Sequence, residues 1–321
     1  MKLDKINLKK IKVDASVRYF YRKKNNKKNS IIVYANKEKK KNLLIYDAIN
    51  KLLIKNNILA PKLYTEEYKK NFIEIEDFGS ETLFELVKKN KKNQVSLFKK
   101  SINLLSKIQR VKEKKAKNFK GKYYKIPIYD NKKLFEEARL FYIWYVAKVL
   151  SKKKALRFNK LIRNQINFLL SRIKLKNNIF VHRDFHVSNL IKYKNKIATI
   201  DTQDALIGNK TYDLASLIDD VRFKTTIEFK NKIYNYYLNL NKKNINKNDF
   251  KNDFEILSIL RNLKIIGIFT RLAVRDKKKN YLKWIPYAWK LIELRMGKNI
   301  VFKDLKKLLD LNFSNKIRNN K

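Results

Sequence analysis

The chain has 321 residues, of which 44% are apolar and 12% aromatic, so it can bury a core within one two-lobed domain or two small domains. Lys and Arg number 78 against 29 acids, a formal charge of +49 that would suit a nucleic acid or another polyanion. The absence of cysteine excludes disulfides, thiolate zinc sites and a cysteine nucleophile.

The positive charge is spread along the whole chain and is mostly lysine, with only 5 Gly and 3 Pro accompanying it. Together with abundant Asn and Ile, this composition is typical of an A/T-rich coding sequence and explains the charge without a dedicated polyanion surface. A nucleic-acid-binding protein is the competing interpretation, but no zinc-finger, RNP or K-homology signature accompanies the charge. We therefore do not expect a nucleic-acid partner.

The N-terminal residues contain no apolar core of the kind that a signal peptide requires. No run of about eighteen apolar residues occurs, because Thr270 and Arg271 interrupt the candidate at 265–274. These features predict a cytoplasmic protein without a membrane partner, and we expect it to be a monomer.

The first quarter of the chain predicts a small sheet with one helix. Residues 14–22 and 30–35 flank a turn rich in Lys and Asn, which predicts a β-hairpin. Residues 40–57 carry apolar side chains at helical spacing, so they predict a helix that packs on this hairpin. Alternating runs at 60–64 and 72–76 predict two further strands.

Beyond Gly79 the periodicity of the apolar residues is helical. Helices are predicted over residues 83–89, 95–111, 134–145, 155–173, 228–240, 254–274, 281–296 and 305–311. The segment 134–145 carries an aromatic stripe, which is more often core than a platform for a ligand. Charged or Lys/Asn-rich tracts predict loops at 112–122, 241–252 and 314–321.

The stretch around residues 179–201 interrupts this helical pattern. A short β-type run at 179–181 leads into a polar sequence, and two more β-type runs at 190–193 and 197–200 are separated by three residues that suit a tight turn. The second of these runs ends on Asp201. A hairpin would therefore bring together three polar groups, which are Asp184, Asn189 and Asp201.

These three groups are the ones that phosphoryl transfer requires. One carboxylate faces the attacking hydroxyl, while an amide oxygen and a second carboxylate hold Mg²⁺ against the phosphates of ATP. The spacing from Asp184 to Asn189 is that of the H-R-D-x-x-x-x-N loop, and Asp201 stands where the D-F-G aspartate would. We predict Asp184 as the catalytic base and Asn189 with Asp201 as Mg²⁺ ligands. A metal site at His182 and His186 is disfavoured because Mg²⁺ prefers oxygen.

A β-rich first quarter, this loop and a helical remainder predict an α+β, protein-kinase-like fold with two lobes. We expect a nucleotide-binding N-terminal lobe at 1–79 and a helical C-terminal lobe at 80–321 that carries the catalytic loop and the acceptor pocket. The turn at 77–79 would then be the hinge, with Glu76 and Phe78 beside the nucleotide.

Two departures from the usual kinase pattern concern the strand lysine and its acidic partner. The strand at 31–35 contains no lysine, and Lys37 and Arg18 are the nearest substitutes. The helix at 40–57 has Asp47 as its only acid, so the partner of the usual lysine stays unassigned.

The catalytic stretch resembles the aminoglycoside phosphotransferase and choline kinase superfamily, and more closely its branch of anomeric N-acetylmuramate and N-acetylglucosamine kinases. The discriminating parts are Gln-Asp-Ala at 203–205 and Tyr-Asp-Leu at 212–214. Residues 137–145 are similar to the E-L-x-L-F-x-x-W-Y-L helix of that branch. Residues 14–22 are similar to its G-D-A-S-x-R-x-x-x-R stretch, with Val13 in place of the glycine.

The resemblance implies an ATP- and Mg²⁺-dependent kinase of a small sugar, acting on the anomeric hydroxyl in cell-wall sugar recycling. It implies phosphate binding by the backbone of Ala15, Ser16 and Val17 with the charge of Arg18. Candidate substrate contacts are Glu137, Trp144, Gln203 and Asp204. Supporting roles are expected for His182 as a loop anchor, for Arg183 as the partner of an acid such as Asp213, and for Asp213 as a brace of a core helix.

Three alternatives stay open at this point. An aminoglycoside or other amino-alcohol kinase would use the same fold and the same loop. Outside this class are a nucleic-acid-binding protein and a catalytically degraded scaffold. The missing strand lysine and loop glycine favour the scaffold, whereas Asp184, Asn189 and Asp201 argue against it.

Overall fold

The computed structural model describes residues 8–11, 18–24, 29–242, 245–297 and 299–319. Ala15, Ser16 and Val17, which were predicted to bind phosphate, lie outside the described residues. No helix in these described ranges is long and apolar enough to cross a membrane.

The N-terminal part forms a five-stranded antiparallel sheet in the order β1-β2-β3-β5-β4. Its strands are β1 (Leu8–Ile11), β2 (Arg18–Lys23), β3 (Ser30–Ala35), β4 (Leu63–Glu67) and β5 (Phe72–Glu76). The predicted hairpin is confirmed, since β2 pairs with β3 from Arg18 opposite Ala35 to Lys23 opposite Ser30. Helix α1 (Lys41–Lys55) covers this sheet, because Leu43 and Tyr46 join a buried cluster with alternate residues of the central strands.

The chain continues through two helices and a hairpin before the second helical part. These are α2 (Leu83–Lys89), α3 (Gln94–Ile108), β6 (Lys115–Lys117) and β7 (Tyr123–Lys125). The loop predicted over 112–122 is therefore right only in part, because Lys115–Lys117 within it is a strand. The two strands pair with Ala116 opposite Tyr124. Ala116 is buried between two exposed lysines, and this alternation is typical of a strand with one covered face.

The remaining helices are α4 (Asn131–Ala138), α5 (Ala147–Val149), α6 (Lys152–Ser171), α7 (Tyr212–Ile218), α8 (Ile227–Leu240), α9 (Lys247–Val274), α10 (Ile285–Met296), α11 (Lys303–Asn312) and α12 (Asn315–Asn319). The loops predicted over 241–252 and 314–321 are thus partly helical. Asn246 explains the first difference, because its side chain accepts hydrogen bonds from the amides of residues 248 and 249 and so caps α9.

The aromatic stripe predicted over 134–145 is core, but it is not one continuous α-helix. Residues Phe141–Val146 have π-helical winding between α4 and α5. Gly267 of α9 lies against this segment so closely that a Cβ there would sit 2.2 Å from the carbonyl carbon of Leu140. The rings of Phe141 and Tyr145 pack on Trp289 and Phe313, and the centroids of these pairs are 5.6 to 5.9 Å apart.

The catalytic stretch adds β8 (Ile179–Val181), β9 (Leu190–Tyr193), β10 (Lys196–Thr199) and β11 (Leu206–Gly208), with β9 paired to β10 and β8 to β11. The chain divides into two compact units. The sheet unit comprises Met1–Pro127 and Ile179–Ile207, and the helical unit comprises Ile128–Asn178 and Gly208–Lys321. The predicted α+β class is confirmed. The division of binding functions at residue 79 stays a prediction.

Candidate active site

A buried histidine anchors the catalytic loop where it leaves β8. His182 has no exposed surface, and its Nε2 lies 3.1 Å from the carbonyl oxygen of Ile200 and 2.7 Å from Oγ1 of Thr199. Because a carbonyl oxygen can only accept, Nε2 carries the proton. Burial lowers the pKa of His182 despite the opposing charges of Asp184 and Asp201, so the ring is a neutral tether between the loop and β10.

The loop after His182 is folded by its own backbone around the carbonyl group of Asp184. That oxygen accepts from the amide of His186 at 3.0 Å and from Nδ2 of Asn189 at 3.0 Å. Arg183 has a φ of 75°, a left-handed conformation that non-glycine residues adopt at a cost, often at functional sites. With Nδ2 used inside the loop, Oδ1 is the atom of Asn189 that is suited to a cation.

The predicted hairpin is confirmed, and it brings Asn189 and Asp201 together. Leu190 pairs with Thr199 at the end of the β9–β10 ladder, and the amide of Ile200 donates to the carbonyl of Asn189 at 3.0 Å. Asn189 therefore precedes one strand where Asp201 follows the other. Asp201 has a φ of 61° and a ψ of 42°, a second left-handed residue in the site.

The carboxylate of Asp201 is bound by an arginine from β2. Nη2 of Arg18 donates to Oδ1 of Asp201 at 2.7 Å, while the Asp201 side chain keeps 37% of its surface exposed. Burial raises the pKa of Asp201, Arg18 opposes this rise, and the neighbouring charges of Asp184 and Asp204 add to it. The charges of Asp184 and Asp204 therefore act on Asp201 against the effect of Arg18.

Gln203 and Asp204, predicted as substrate contacts, take part in a chain of polar contacts that starts at Arg18. Oε1 of Gln203 accepts from Nη1 of Arg18 at 2.8 Å, and Nε2 of Gln203 donates to Asp204 at 2.6 Å. Nη1 of Arg183 lies 3.6 Å from Asp204. Asp204 is thus one acid beside Arg183, while the expected pairing of Arg183 with Asp213 stays a prediction. The side chain of Gln203 is largely buried.

Helix α1 contacts the loop through neutral groups. Oγ1 of Thr202 donates to Oδ1 of Asn50 at 2.6 Å, both side chains being buried. Burial raises the pKa of Tyr46, one turn earlier, to about 12, so its hydroxyl keeps its proton. Asp47 instead lies 2.9 Å from Nζ of Lys51 on its own helix.

The turn after β5 is held to β2 by an ion pair that sequence reasoning missed. Arg22 donates from Nε and Nη2 to the carboxylate of Asp77 at 2.6 and 3.0 Å. The amide of Gly79, which has a φ of 88°, also donates to Asp77 at 2.8 Å. Arg18 and Arg22 share a face of the strand because they are four residues apart. This spacing could have suggested that Arg22, like Arg18, has an acidic partner on that face.

Glu76 and Phe78 flank this turn, and both side chains are nearly buried. Phe78 packs with Ile191 and Ala198, and its ring centroid lies 4.8 Å from that of Tyr193. The amide of Glu76 donates to the carbonyl of Lys62 at 2.8 Å. Phe78 and these residues of β9 and β10 therefore form one apolar surface, which we call the apolar floor.

The other predicted residues belong to the helical unit. The carboxylate of Glu137 accepts from the hydroxyl of Tyr129 and lies 2.7 Å from Nζ of Lys264. Burial raises the pKa of Tyr129 well above its ordinary value, and the nearby Tyr212 and Glu137 add to the rise. Trp144 is half-buried in the π-helical segment, and Asp213 is fully buried in α7.

The oxygen donors of this loop suit Mg²⁺ better than a metal that needs an all-protein cage. Across the described ranges, no group of three or more His, Cys, Asp or Glu side chains is placed to hold a metal. Mg²⁺ is usually bound by one or two protein oxygens together with substrate phosphates and water. Asn189 Oδ1 and the carboxylate of Asp201, on the adjoining ends of one hairpin, meet that requirement.

A five-stranded sheet, a histidine-anchored loop and a hairpin that ends on an aspartate define a protein-kinase-like phosphotransferase. Solved structures agree on this fold. An ADP-bound aminoglycoside phosphotransferase, APH(2″)-Ib, superposes with a TM-score of 0.60 at 15% identity, covering 91% of this chain and 94% of its own. A choline kinase from Streptococcus pneumoniae superposes with a TM-score of 0.59 at 15% identity, covering 94% of both chains.

Residues 7–244 match the family model of the APH phosphotransferase enzyme family, and the chain belongs to this family. The chain is similar to an N-acetylmuramate/N-acetylglucosamine kinase of Neisseria meningitidis serogroup B, with 26% identity over 85% of this chain and 80% of that protein. A Pseudomonas putida protein of the same name is 25% identical over 92% of this chain and 85% of its own. The predicted resemblance is thereby confirmed, and the protein is a phosphotransferase.

Proposed function

We propose that the protein transfers the γ-phosphoryl group of ATP, with Mg²⁺, to the anomeric hydroxyl of N-acetylmuramate or N-acetylglucosamine. The observation that carries the reaction is the β9–β10 hairpin, which places Asn189 and Asp201 at adjoining strand ends beside the loop of Asp184. The names of the Neisseria and Pseudomonas relatives, similar over most of their length, support the acceptor.

Each residue of the loop has a defined part in this reaction. The carboxylate of Asp184 accepts a hydrogen bond from the attacking hydroxyl and takes its proton as the new O–P bond forms. Asn189 Oδ1 and Asp201 would hold Mg²⁺, which when bound would neutralise negative charge on the phosphates. His182 keeps the loop against β10, so Asp184 and Asp201 stay at a fixed separation. The products are ADP and the sugar 1-phosphate.

The nucleotide is expected at the turn after β5. The apolar floor that contains Phe78 suits a base, and the Arg22–Asp77 ion pair stiffens the turn beside it. Main-chain groups at 77–79 other than the amide of Gly79, which donates to Asp77, would then bind adenine, with Glu76 at its border. Glu137 and Trp144 of the helical unit stay candidates for the sugar site. We also infer a cytoplasmic enzyme, because the reaction consumes ATP.

The test is to incubate the purified protein with ATP, Mg²⁺ and each sugar, measuring ADP and the reactivity of the reducing end. We expect ADP to form in step with loss of the reducing end, and neither change when EDTA replaces Mg²⁺. ADP formation with an intact reducing end would contradict the anomeric position. Phosphorylation of kanamycin-type substrates with no reaction on either sugar would favour an aminoglycoside kinase instead.

A further inference from the structure

A polar cluster of the helical unit joins α4, α7 and α9. It contains the carboxylate of Glu137 in α4 and the ammonium group of Lys264 in α9, and Nζ of Lys264 lies 2.7 Å from Oε2 of Glu137. The hydroxyl of Tyr129 also donates to Oε2 of Glu137. Nζ of Lys264 donates to the hydroxyl of Tyr212 at 3.4 Å. Lys264 is thus bound by a carboxylate of one helix and a phenol of another.

Of these four side chains, the ion pair is the part that reaches the surface. The side chains of Glu137 and Lys264 keep 14% and 12% of their surface exposed. Tyr129 and Tyr212 are 1% and 2% exposed, and their rings pack edge to face with the centroids 4.9 Å apart. A molecule that approaches from solvent therefore meets the carboxylate together with the ammonium group, while the two tyrosines support the pair from beneath.

A close backbone contact fixes Lys264 opposite Glu137. Gly267 follows Lys264 by three residues and Leu140 follows Glu137 by three, so each lies about one helical turn beyond the pair. A Cβ on Gly267 would lie 2.2 Å from the carbonyl carbon of Leu140, which leaves no room for a side chain there. Because glycine allows this approach, the charged side chains one turn earlier are held side by side.

We propose that Lys264 is a specificity-determining residue, which cancels the charge of Glu137 so that the acceptor site does not favour protonated amino sugars. Glu137 is a candidate sugar contact of the proposed function, and this inference rests on that function. A carboxylate paired with an ammonium group still accepts hydrogen bonds from hydroxyls, but the pair gives little net attraction to a second cation. An acetylated amino group is neutral, whereas a free amino group is protonated and loses this attraction.

The test compares N-acetylglucosamine with glucosamine, which differ by one acetyl group and, when the amine is protonated, by one charge. The readout is the inhibition constant of glucosamine divided by the KM of N-acetylglucosamine, so glucosamine need not react. We expect Lys264→Met to lower this ratio about tenfold, because the uncompensated carboxylate then attracts the ammonium ion. Lys264→Arg keeps the charge and should stay within about twofold of the wild type. Lys251→Met, at an exposed lysine of the same helix, is the control for loss of one positive charge.

Glu137→Gln should change the ratio in the opposite direction. The amide oxygen can still accept from Tyr129, but the charge of Lys264 is left uncompensated, so we expect the ratio to rise about threefold to tenfold. Loosened packing alone would weaken both sugars alike and would not move the ratio. The double variant Glu137→Gln with Lys264→Met removes both charges and should return the ratio to within about threefold of the wild type.

Three results would overturn this assignment of Lys264. They are an unchanged ratio in Lys264→Met, shifts in the same direction for Lys264→Met and Glu137→Gln, and a selective loss of N-acetylmuramate binding in Lys264→Met. The last result would assign Lys264 to the carboxylate of that sugar instead. A wild type that phosphorylates neither acetylated sugar would overturn the proposed function itself.

Discussion

Two aspartates that each bind an arginine at 2.7 Å differ in their surroundings, and one of them is the proposed Mg²⁺ ligand Asp201. Asp201 of the sheet unit receives Arg18, keeps 37% of its side chain exposed and has two further acids near it. Asp219 of the helical unit is fully buried and receives Arg295 at 2.7 and 2.9 Å, Ser258 at 2.6 Å and Lys230 at 3.2 Å.

The pKa values of the two carboxyl groups move in opposite directions. Burial would raise the pKa of Asp219, but the charges of Arg295 and Lys230 outweigh it and hold the pKa well below the usual range. Burial raises the pKa of Asp201, and one arginine does not offset it. The charge of Asp219 is compensated by two cations inside the helical unit, whereas Asp201 has one arginine and keeps part of its surface exposed, which makes it the better candidate for a ligand.

The largest expected effect is the loss of catalysis when Asp184 or Asp201 is substituted. Asp184→Asn and Asp201→Ala should each reduce phosphoryl transfer at least about a hundredfold, because the first removes the base and the second a Mg²⁺ ligand. The change is measured as kcat for ADP formation, with thermal unfolding as the check on the fold. Asp304→Asn, at an exposed acid in the first turn of α11, is the matched control with unchanged activity. Near-normal turnover in either loop variant would contradict the mechanism.

The equivalent substitution in the helical unit should lower the stability of the fold. Asp219→Asn leaves the buried charges of Arg295 and Lys230 without their carboxylate, so we expect the free energy of unfolding to fall by about 3–5 kcal/mol. Urea unfolding measures this loss. Asp276→Asn removes an aspartate from a surface pair with Arg275 and should change stability by less than about 1 kcal/mol. Comparable stability losses for the two variants would erase the contrast between a buried network and an exposed pair.

Acid unfolding sharpens the same comparison. The pKa of Asp219 is lower in the folded than in the unfolded chain, so the unfolded chain takes up this proton first as the pH falls. The contribution of Asp219 is complete above the unfolded value of about 3.9 and is lost as the pH drops through the folded value. We expect the stability difference between wild type and Asp219→Asn to be constant from pH 7 to about pH 5 and to shrink below about pH 4. A difference that grows on acidification would contradict this assignment.

The smallest expected effect concerns the excess of positive charge on the whole chain. If the excess of +49 is compositional, binding to duplex DNA should be weak, independent of sequence and steeply reduced by salt. Fluorescence anisotropy with two unrelated duplexes at 50 and 200 mM salt, about the range over which such contacts are lost, measures both properties. Tight, sequence-selective binding at the higher salt would restore the nucleic-acid interpretation.

Local sequence was sufficient for the elements whose signals lie within a few residues. The hairpin that unites Asn189 with Asp201 was predictable because two β-type runs flank a short polar turn, which in the structure is Lys194 and Asn195. The same local reasoning failed at 247–252, where a Lys/Asn tract became the start of α9. The start of α9 depends on its N-cap, Asn246, whose side chain accepts hydrogen bonds from the amides of residues 248 and 249. The sequence does not distinguish this asparagine from the others in the tract.

Local sequence patterns could not identify the ion-pair partners of the charged side chains. Arg18 and Asp201 are 183 residues apart, Arg22 and Asp77 are 55 apart, and Asp219 and Arg295 are 76 apart. With 78 basic residues in the chain, every acid has many possible partners, and composition cannot choose among them. The choice is made by register, since the pairing of β2 with β3 places Arg18 at a strand start that faces the loop.

The sequence by itself determined the fold class, the family and the three polar groups of the loop, because strand and turn periodicity and motif spacing are properties of neighbouring residues. Tertiary structure alone decided that Gln203 and Asp204 hold Arg18 and Arg183, that Glu137 is bound by Tyr129 and Lys264, and that Gly267 lies against Leu140. Such contacts depend on how distant segments pack, and a side chain's role is set by the partner that packing brings within about 3 Å.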